Sequence, residues 1–412
     1  MTEKSDYDAL DRWIDAHFDE QVRFLQSLVR VPSDTPPGNN APHAEHTAKA
    51  LEEFGWPVEK HPVPAVTVAA AGLESITNLV VRRRFTDTGP VIGLNAHGDV
   101  VPPGDGWHYP PYGGAIHDGK LYGRASAVSK SDFATYCYAL RAIEASGLKV
   151  RGCVELYFTY DEEFGGELGP GWLLDQHIVH PDLLIAAGFS YQVITAHNGC
   201  LQLEVTVTGK MAHAAIPDSG RDALQASVKL LTALYALNDG YRQIRSGVAG
   251  ITHPYLNVGQ ISGGTNTNVV PGKVVLRLDR RMIPEEDPQQ VEAELRSLIT
   301  RTVAGVDDIA VDVRRLLLVN PLRPLPGNKA LVDTLSRHAS AILDAAVTDS
   351  GTPLYADARL FGEAGIPAVL YGAGPRTLLE SNAKRADEHV ELSDLKAATR
   401  VVARTLLDLL DT

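Results

Sequence analysis

Two continuous apolar runs, at 91–101 and 152–160, each end on ionisable side chains, and a helical pattern at 132–145 lies between them. Runs without polar alternation suit strands buried on both faces, as in a parallel sheet. The first run delivers His97 and Asp99, and the second delivers Asp161, Glu162 and Glu163. Strand, helix and strand in succession form a right-handed crossover, which brings both carboxyl ends to one sheet edge. Open α/β sheets place their ligands at that edge. Four ionisable residues, His97, Asp99, Glu162 and Glu163, are therefore expected to converge there as a functional site.

The loop from 101 to 124 carries Gly104, Gly106, Pro110, Pro111, Gly113 and Gly114, together with Trp107, Tyr109 and Tyr112. A loop this long and rich in turn formers is usually functional or disordered, and its aromatics argue against disorder. Those rings either pack the loop or line a pocket. Helical periodicity predicts helices at 6–30 and 41–54, and an extended segment at 78–83. A further short apolar strand is expected at 183–187.

At Gly199 the pattern changes. Residues 200–208 alternate as a half-buried antiparallel strand does, and they are followed by a helix (222–237), strands at 255–261 and 274–280, a helix (288–303) and a strand (309–313). That order is ferredoxin-like. Helices at 329–343 and 392–410 and a strand at 368–371 then return to α/β order. The expected fold is α/β, a mainly parallel sheet flanked by helices, with an inserted ferredoxin-like α+β lid. The expected domains are 1–198 and 317–412 for the sheet and 199–316 for the lid.

With 412 residues, 44% of them hydrophobic and 22% charged, the chain is long enough for two domains. No apolar run reaches the length of a membrane span, and the acidic, amphipathic start is unlike a signal peptide. Three scattered cysteines, Cys137, Cys153 and Cys200, fit a reducing cytoplasm. A formal net charge of -13 argues against nucleic-acid and anionic-membrane partners and leaves a small-molecule substrate.

Five segments together resemble the M20 metallopeptidase family of aminoacylases, carboxypeptidases and desuccinylases. They are NAHGDVVPPGDGW, YDEEFGG, GKMAHAAIPDSGRDA, GGTNTNVVPGKVVLRLDRR and GIPAVLYGAG, in that order along the chain. The resemblance implies a zinc-peptidase-like fold, amide-bond hydrolysis and a homodimer formed through the lid. It also implies a pair of divalent metals, usually zinc, sharing a bridging water. Carried over residue by residue, it makes His97 a metal ligand, Asp99 the carboxylate that orients it, Glu162 the general base and Glu163 a second ligand. It makes His213 a group that completes the site across the dimer, and it makes Asn268 and Arg359 binders of substrate oxygen or carboxylate.

Three family ligand positions are occupied differently. Val128 stands in GRASAVSKS at the bridging Asp, Ala187 or Gly188 stands ahead of TAHNG at another carboxylate, and Lys384 stands in SNAKRADEHV at a His. Divalent cations need anionic oxygen, thiolate or neutral imidazole, so a two-metal site is not expected here. The Lys384 ammonium would instead neutralise Glu163. The expectation is no cofactor, or at most one zinc or manganese ion held by His97, Glu163 and a further ligand such as Asp132.

The remaining groups suit proton transfer on a small amide, peptide or N-acyl amino acid-like carboxylate substrate, with Glu162 and the Asp99-oriented His97 as proton carriers. Lys384 either has a lowered pKa beside cationic neighbours or serves as a fixed positive charge. Ser126, Ser129 and Lys130 are either structural or a serine–lysine nucleophile. His108, His117 and His197 are expected to be bonded loop residues, and Asp387 and Glu388 to cap or solvate the loop before the last helix. A non-catalytic ligand-binding descendant, or a conventional zinc- or manganese-dependent hydrolase using unrecognised ligands, stands as the alternative.

Overall fold

The computed structural model describes residues 4–306, 308–377 and 379–410. They fall into two compact units: Met1–Thr195, Pro324–Ser350 and Ala356–Thr412 form the first, and Ala196–Arg323 with Gly351–Tyr355 form the second.

Among the described residues the larger sheet, most of which lies in the first unit, has eight strands. In spatial order its strands are Glu59–Pro62, Thr77–Arg84, Cys153–Thr159, Val91–His97, Leu183–Ala186, Ala368–Leu370, Val193–His197 and Asp349–Thr352. The four central strands run parallel, with His97 paired to Thr159 and Asn95 to Ala186. Antiparallel strands flank them on both sides. The two expected apolar runs therefore end level with each other. Every side chain of Cys153–Thr159 is buried, which is why that run shows no alternation.

Helices Lys4–Val29, Lys130–Ser146, Lys329–Leu343 and Leu392–Leu410 supply apolar faces to one core with the sheet, including Leu25, Leu140, Leu335 and Leu406. Lys130–Ser146 ends at Gly147, whose φ of 69° is the left-handed C-cap conformation that glycine adopts without strain. The strands Glu59–Pro62 and Asp349–Thr352 were not expected. Both are four residues long, and neither EKHP nor DSGT carries an apolar alternation.

The second unit is a four-stranded antiparallel sheet in the order Tyr255–Gly263, Lys273–Met282, Gly199–Thr208 and Ala310–Val319. Leu201, Leu203, Val205 and Val207 face Leu230 and Leu234 of helix Ala223–Tyr241 and Leu295 and Ile299 of helix Pro288–Val303. Asp222 caps the first of these helices by accepting the N–H groups of Leu224 and Gln225. The unit extends beyond the expected 199–316 because its last strand continues to Val319 through Arg314 and Arg315, which pair with Glu204 and Glu292. It also takes in Gly351–Tyr355, a segment with no local signal.

Candidate active site

His97 is the last residue of its strand, and Asp99 follows one glycine later. Neither is free to rotate. The His97 N–H donates to Ser129 Oγ (3.1 Å), and its Nδ1–H donates to the Asp99 carbonyl (3.0 Å), with Asp99 Oδ1 at 3.4 Å. The fully buried Asp99 carboxylate accepts the Glu162 N–H (3.3 Å) and the Glu163 N–H (3.0 Å). One carboxylate thus fixes the ring of the first strand end and the backbone of the second. It acts more through main-chain groups than the side-chain pairing with His97 that was expected.

Glu162 Oε2 lies 3.7 Å from His97 Nε2, and both residues are more than 90% buried. Burial raises the Glu162 carboxyl above the usual range, opposed chiefly by the charge of His97. Burial depresses His97, but the carboxylates of Glu162 and Asp99 outweigh it and drive the imidazole up. The surrounding carboxylates thus favour the protonated ring.

Lys384 Nζ donates to Glu163 Oε2 at 2.5 Å, and about half of its side chain remains exposed. Burial pulls its pKa down, but Glu163 and Glu162 carry it above the ordinary lysine value. The lowered pKa held open for Lys384 is thus corrected: its neighbours are anionic, so it is a fixed cation.

The loop bearing Lys384 is secured by Glu388. Its side chain is 1% exposed and bonds Arg124 Nη1 (2.6 Å), the N–H groups of Ala127 and Val128 (both 3.3 Å) and the Lys384 N–H (3.3 Å). Of the two expected roles, capping or solvating the loop, Glu388 thus takes up backbone N–H groups as a buried organising residue. Asp387 accepts from His108 Nδ1 at 2.6 Å and from the N–H groups of His108 and Tyr109. Arg124 was missed as well, and its stacking over Trp107 at 5.1 Å shows that this loop aromatic packs. Tyr109 stacks on Tyr122, and Tyr112 donates to Asp34.

No serine–lysine pair forms. Lys130 Nζ is buried on the carbonyls of Leu28 (3.3 Å) and Val31 (3.0 Å), Ser126 donates to the Glu388 carbonyl, and Ser129 holds His97. Arg359 is 2% exposed, with its guanidinium on Glu363, Glu167 and the Gly165 carbonyl. These contacts hold the turn that follows Glu163. In the second unit, His213 and Asn268 lie together on one small ribbon: His213 pairs with Val269, and the Ala214 N–H donates to the Asn268 carbonyl. Both residues are exposed there.

A pair of divalent ions does not match the donors present. Val128 has no lone pair to offer, and Lys384 brings a cation onto Glu163. A Cβ at Gly188 would lie 2.7 Å from Leu370 C and Tyr371 N, so the backbone leaves no space for a ligand side chain. Asp132 does reach inward, but its Oδ1 accepts the Ala373 N–H (2.7 Å), and burial pushes its carboxyl up to about 8. Among the described residues, no three of His, Cys, Asp and Glu are grouped to hold a metal ion. No helix among them is long and apolar enough to cross a membrane.

The chain is 26% identical over 400 residues to succinyl-diaminopimelate desuccinylase of Methylobacterium radiotolerans, covering 94% of this chain and 96% of that one. The desuccinylase of Acidiphilium cryptum is 27% identical over 402 residues, with 94% and 98% covered. Among solved structures, the Saccharomyces cerevisiae di-peptidase Dug1p superposes with a TM-score of 0.82 at 13% identity, over 98% of this chain and 99% of that one. This likeness establishes the shared fold. Residues 93–408, more than three quarters of the chain, match Peptidase family M20/M25/M40, and the chain belongs to that family.

Proposed function

We propose that the chain is a hydrolase of amide or peptide bonds in a small carboxylate-bearing substrate. The observation that carries this reading is the convergence of His97, Glu162, Glu163 and Lys384 at the carboxyl ends of two parallel strands. Membership of a peptidase family and the likeness to two desuccinylases support the same class of bond.

In the reading that the donor chemistry favours, the site works without a metal pair. Glu162 takes a proton from water as the water oxygen bonds to the amide carbon, and Lys384 and protonated His97 offset the charge gathering on the carbonyl oxygen. The carbon–nitrogen bond then breaks, and the Glu162 proton passes to the departing amine. A second reading, a conventional zinc- or manganese-dependent hydrolase, is favoured by the comparisons. It requires ligands beyond those at positions 128, 188 and 384.

A homodimer through the second unit belongs to the same proposal. Leu224, Val228 and Tyr235 form an exposed apolar stripe on helix Ala223–Tyr241, and Tyr255–Gly263 is an edge strand with an unpaired side. A second copy covering this face would present His213 and Asn268 at a shared site.

Metal analysis of the purified protein, with turnover of dipeptides and N-acyl amino acids measured with and without chelator, tests these readings. Turnover that survives chelation and is lost in Glu162→Gln supports the metal-independent site. Two equivalents of zinc or manganese, with activity abolished by chelation, supports the conventional enzyme. Binding without turnover in any metal condition would leave a non-catalytic descendant.

A further inference from the structure

A cavity of ≈ 210 Å³ lies in the first unit, apart from Glu162 and His97, and its lining includes Lys120, Ser381, His389, Glu391 and Asp394. It is smaller than the roughly 300–1,000 Å³ of pockets that take drug-sized ligands, yet a water needs only about 10–15 Å³ of such space. Its capacity is that of a small metabolite.

The polar groups on its wall have bonding capacity to spare. Lys120 Nζ donates to Glu391 Oε1 (3.0 Å) and to His389 Nε2 (3.3 Å), and an ammonium has a third N–H. His389 is set as this acceptor because its Nδ1–H is bonded to the Asp387 carbonyl at 2.9 Å. Asp394 Oδ1 accepts the Tyr191 hydroxyl (2.9 Å), which leaves Oδ2 for another donor. Ser381 is 3% exposed and lines the cavity, and its Oγ has no hydrogen-bond partner among the described residues.

The charges on the wall restrict the ligand. Glu380 and Glu391 add to Asp394 on the acidic side, while Lys120 sits within the lining and Arg376, stacked over Tyr191 at 4.0 Å, acts on Asp394 from beside it. A simple anion would face three carboxylates, and a simple cation would face Lys120. A molecule carrying both signs satisfies both sides, and Ala127, Ala373, Pro375 and Val390 leave room for a modest apolar group.

We propose that this cavity is a binding site for a free amino acid. Its carboxylate is taken by Lys120, and its ammonium by Asp394 and the neighbouring glutamates. The site is independent of turnover at Glu162. Ala127, which precedes Val128, and Ala373, whose N–H holds Asp132, form part of its wall, so occupancy touches two segments that frame the candidate active site.

The test is a thermal-shift panel of free L-amino acids on the full chain, followed by calorimetric titration of the best binder, its amide and its deaminated acid. The zwitterion is expected to bind at least about tenfold more tightly than either singly charged analogue, the usual scale for losing a hydrogen bond to a charged group. Asp394→Asn keeps an acceptor for Tyr191, and Lys120→Gln keeps a donor for His389. Each is expected to weaken binding about tenfold or more while the circular dichroism spectrum stays unchanged. Glu162→Gln is expected to bind as the parent does. The proposal is overturned if no amino acid binds, if amide or deaminated acid binds as well as the zwitterion, or if affinity falls in Glu162→Gln and not in the cavity variants. The last result would place the amino acid at the catalytic residues.

Discussion

Lys384 Nζ sits 2.5 Å from Glu163 Oε2, a contact between residues 221 positions apart in the chain. The pair places a permanent cation beside two buried acidic groups, held by a loop that Glu388 anchors from behind. If the ammonium balances charge on the carbonyl oxygen, Lys384→Met should lower kcat by about 10²–10³, the range for removing one such donor. Lys384→Arg should retain part of the rate. Steady-state kinetics on the best substrate decide this, and an unchanged kcat in the methionine variant removes Lys384 from the chemistry.

Asp99 joins two strand ends by accepting both the Glu162 and Glu163 N–H groups. In Asp99→Asn one of the two N–H groups would face an amide NH₂, a donor against a donor. An unsatisfied buried donor costs about 1–3 kcal/mol, so the variant should lose that much stability and lose turnover as Glu162 shifts. Denaturant unfolding and kcat are expected to fall together. Reduced stability with full activity would show that Asp99 does not position Glu162.

Arg124 and Glu388 form an ion pair at 2.6 Å, with side chains 2% and 1% exposed. Removing one partner strands the other charge in the interior. Arg124→Met is therefore expected to cost about 3–5 kcal/mol, and the double variant Arg124→Met with Glu388→Gln should recover much of that loss. Chemical denaturation of the two singles and the double measures the coupling, and simple additivity would contradict the pairing.

The parts of this site that could be read from sequence are those fixed by local pattern. His97 and Glu162 terminate apolar runs whose burial on both faces forces the parallel pairing. The role of Glu388 depends on Arg124, 264 residues away, and nothing in the local string DEHVEL separates a buried carboxylate from a capping one. Lys130 presents the same difficulty. A lysine opening an amphipathic helix reads as solvated, and only the carbonyls of Leu28 and Val31, brought in by the end of the first helix and the turn after it, account for its burial. For Lys384 the sequence gives the cation but not the sign of its surroundings, which comes from Glu163 and Glu162.

Lys130 makes stability depend on pH. Burial lowers its pKa to about 7, against the opposing charges of Asp34, Glu388 and Asp99. Between that value and the ordinary lysine value near 10.5, the unfolded chain binds a proton that the folded chain does not. Folding stability from this group therefore rises with pH across about 7 to 10 and is lost as pH falls through the folded pKa. Lys130→Met lacks the titration, so the stability of the parent relative to this variant should increase from pH 7 to pH 10. A difference that stays flat over that window would show that Lys130 remains charged in the fold.

Gly188 tests whether the site can regain a ligand by simple substitution. A Cβ there meets two backbone atoms, Leu370 C and Tyr371 N, at 2.7 Å, and the Gly374 N–H donates to the Gly188 carbonyl (2.9 Å). Backbone cannot swing aside as a flexible side chain can. Gly188→Ala is thus expected to cost about 1–3 kcal/mol by overpacking, and Gly188→Asp at least as much, without a gain in bound zinc. Thermal unfolding and metal analysis of both variants check this. A stable Gly188→Asp protein that captures zinc would show that the strand end relaxes to admit a ligand, and would favour the conventional metal-dependent reading.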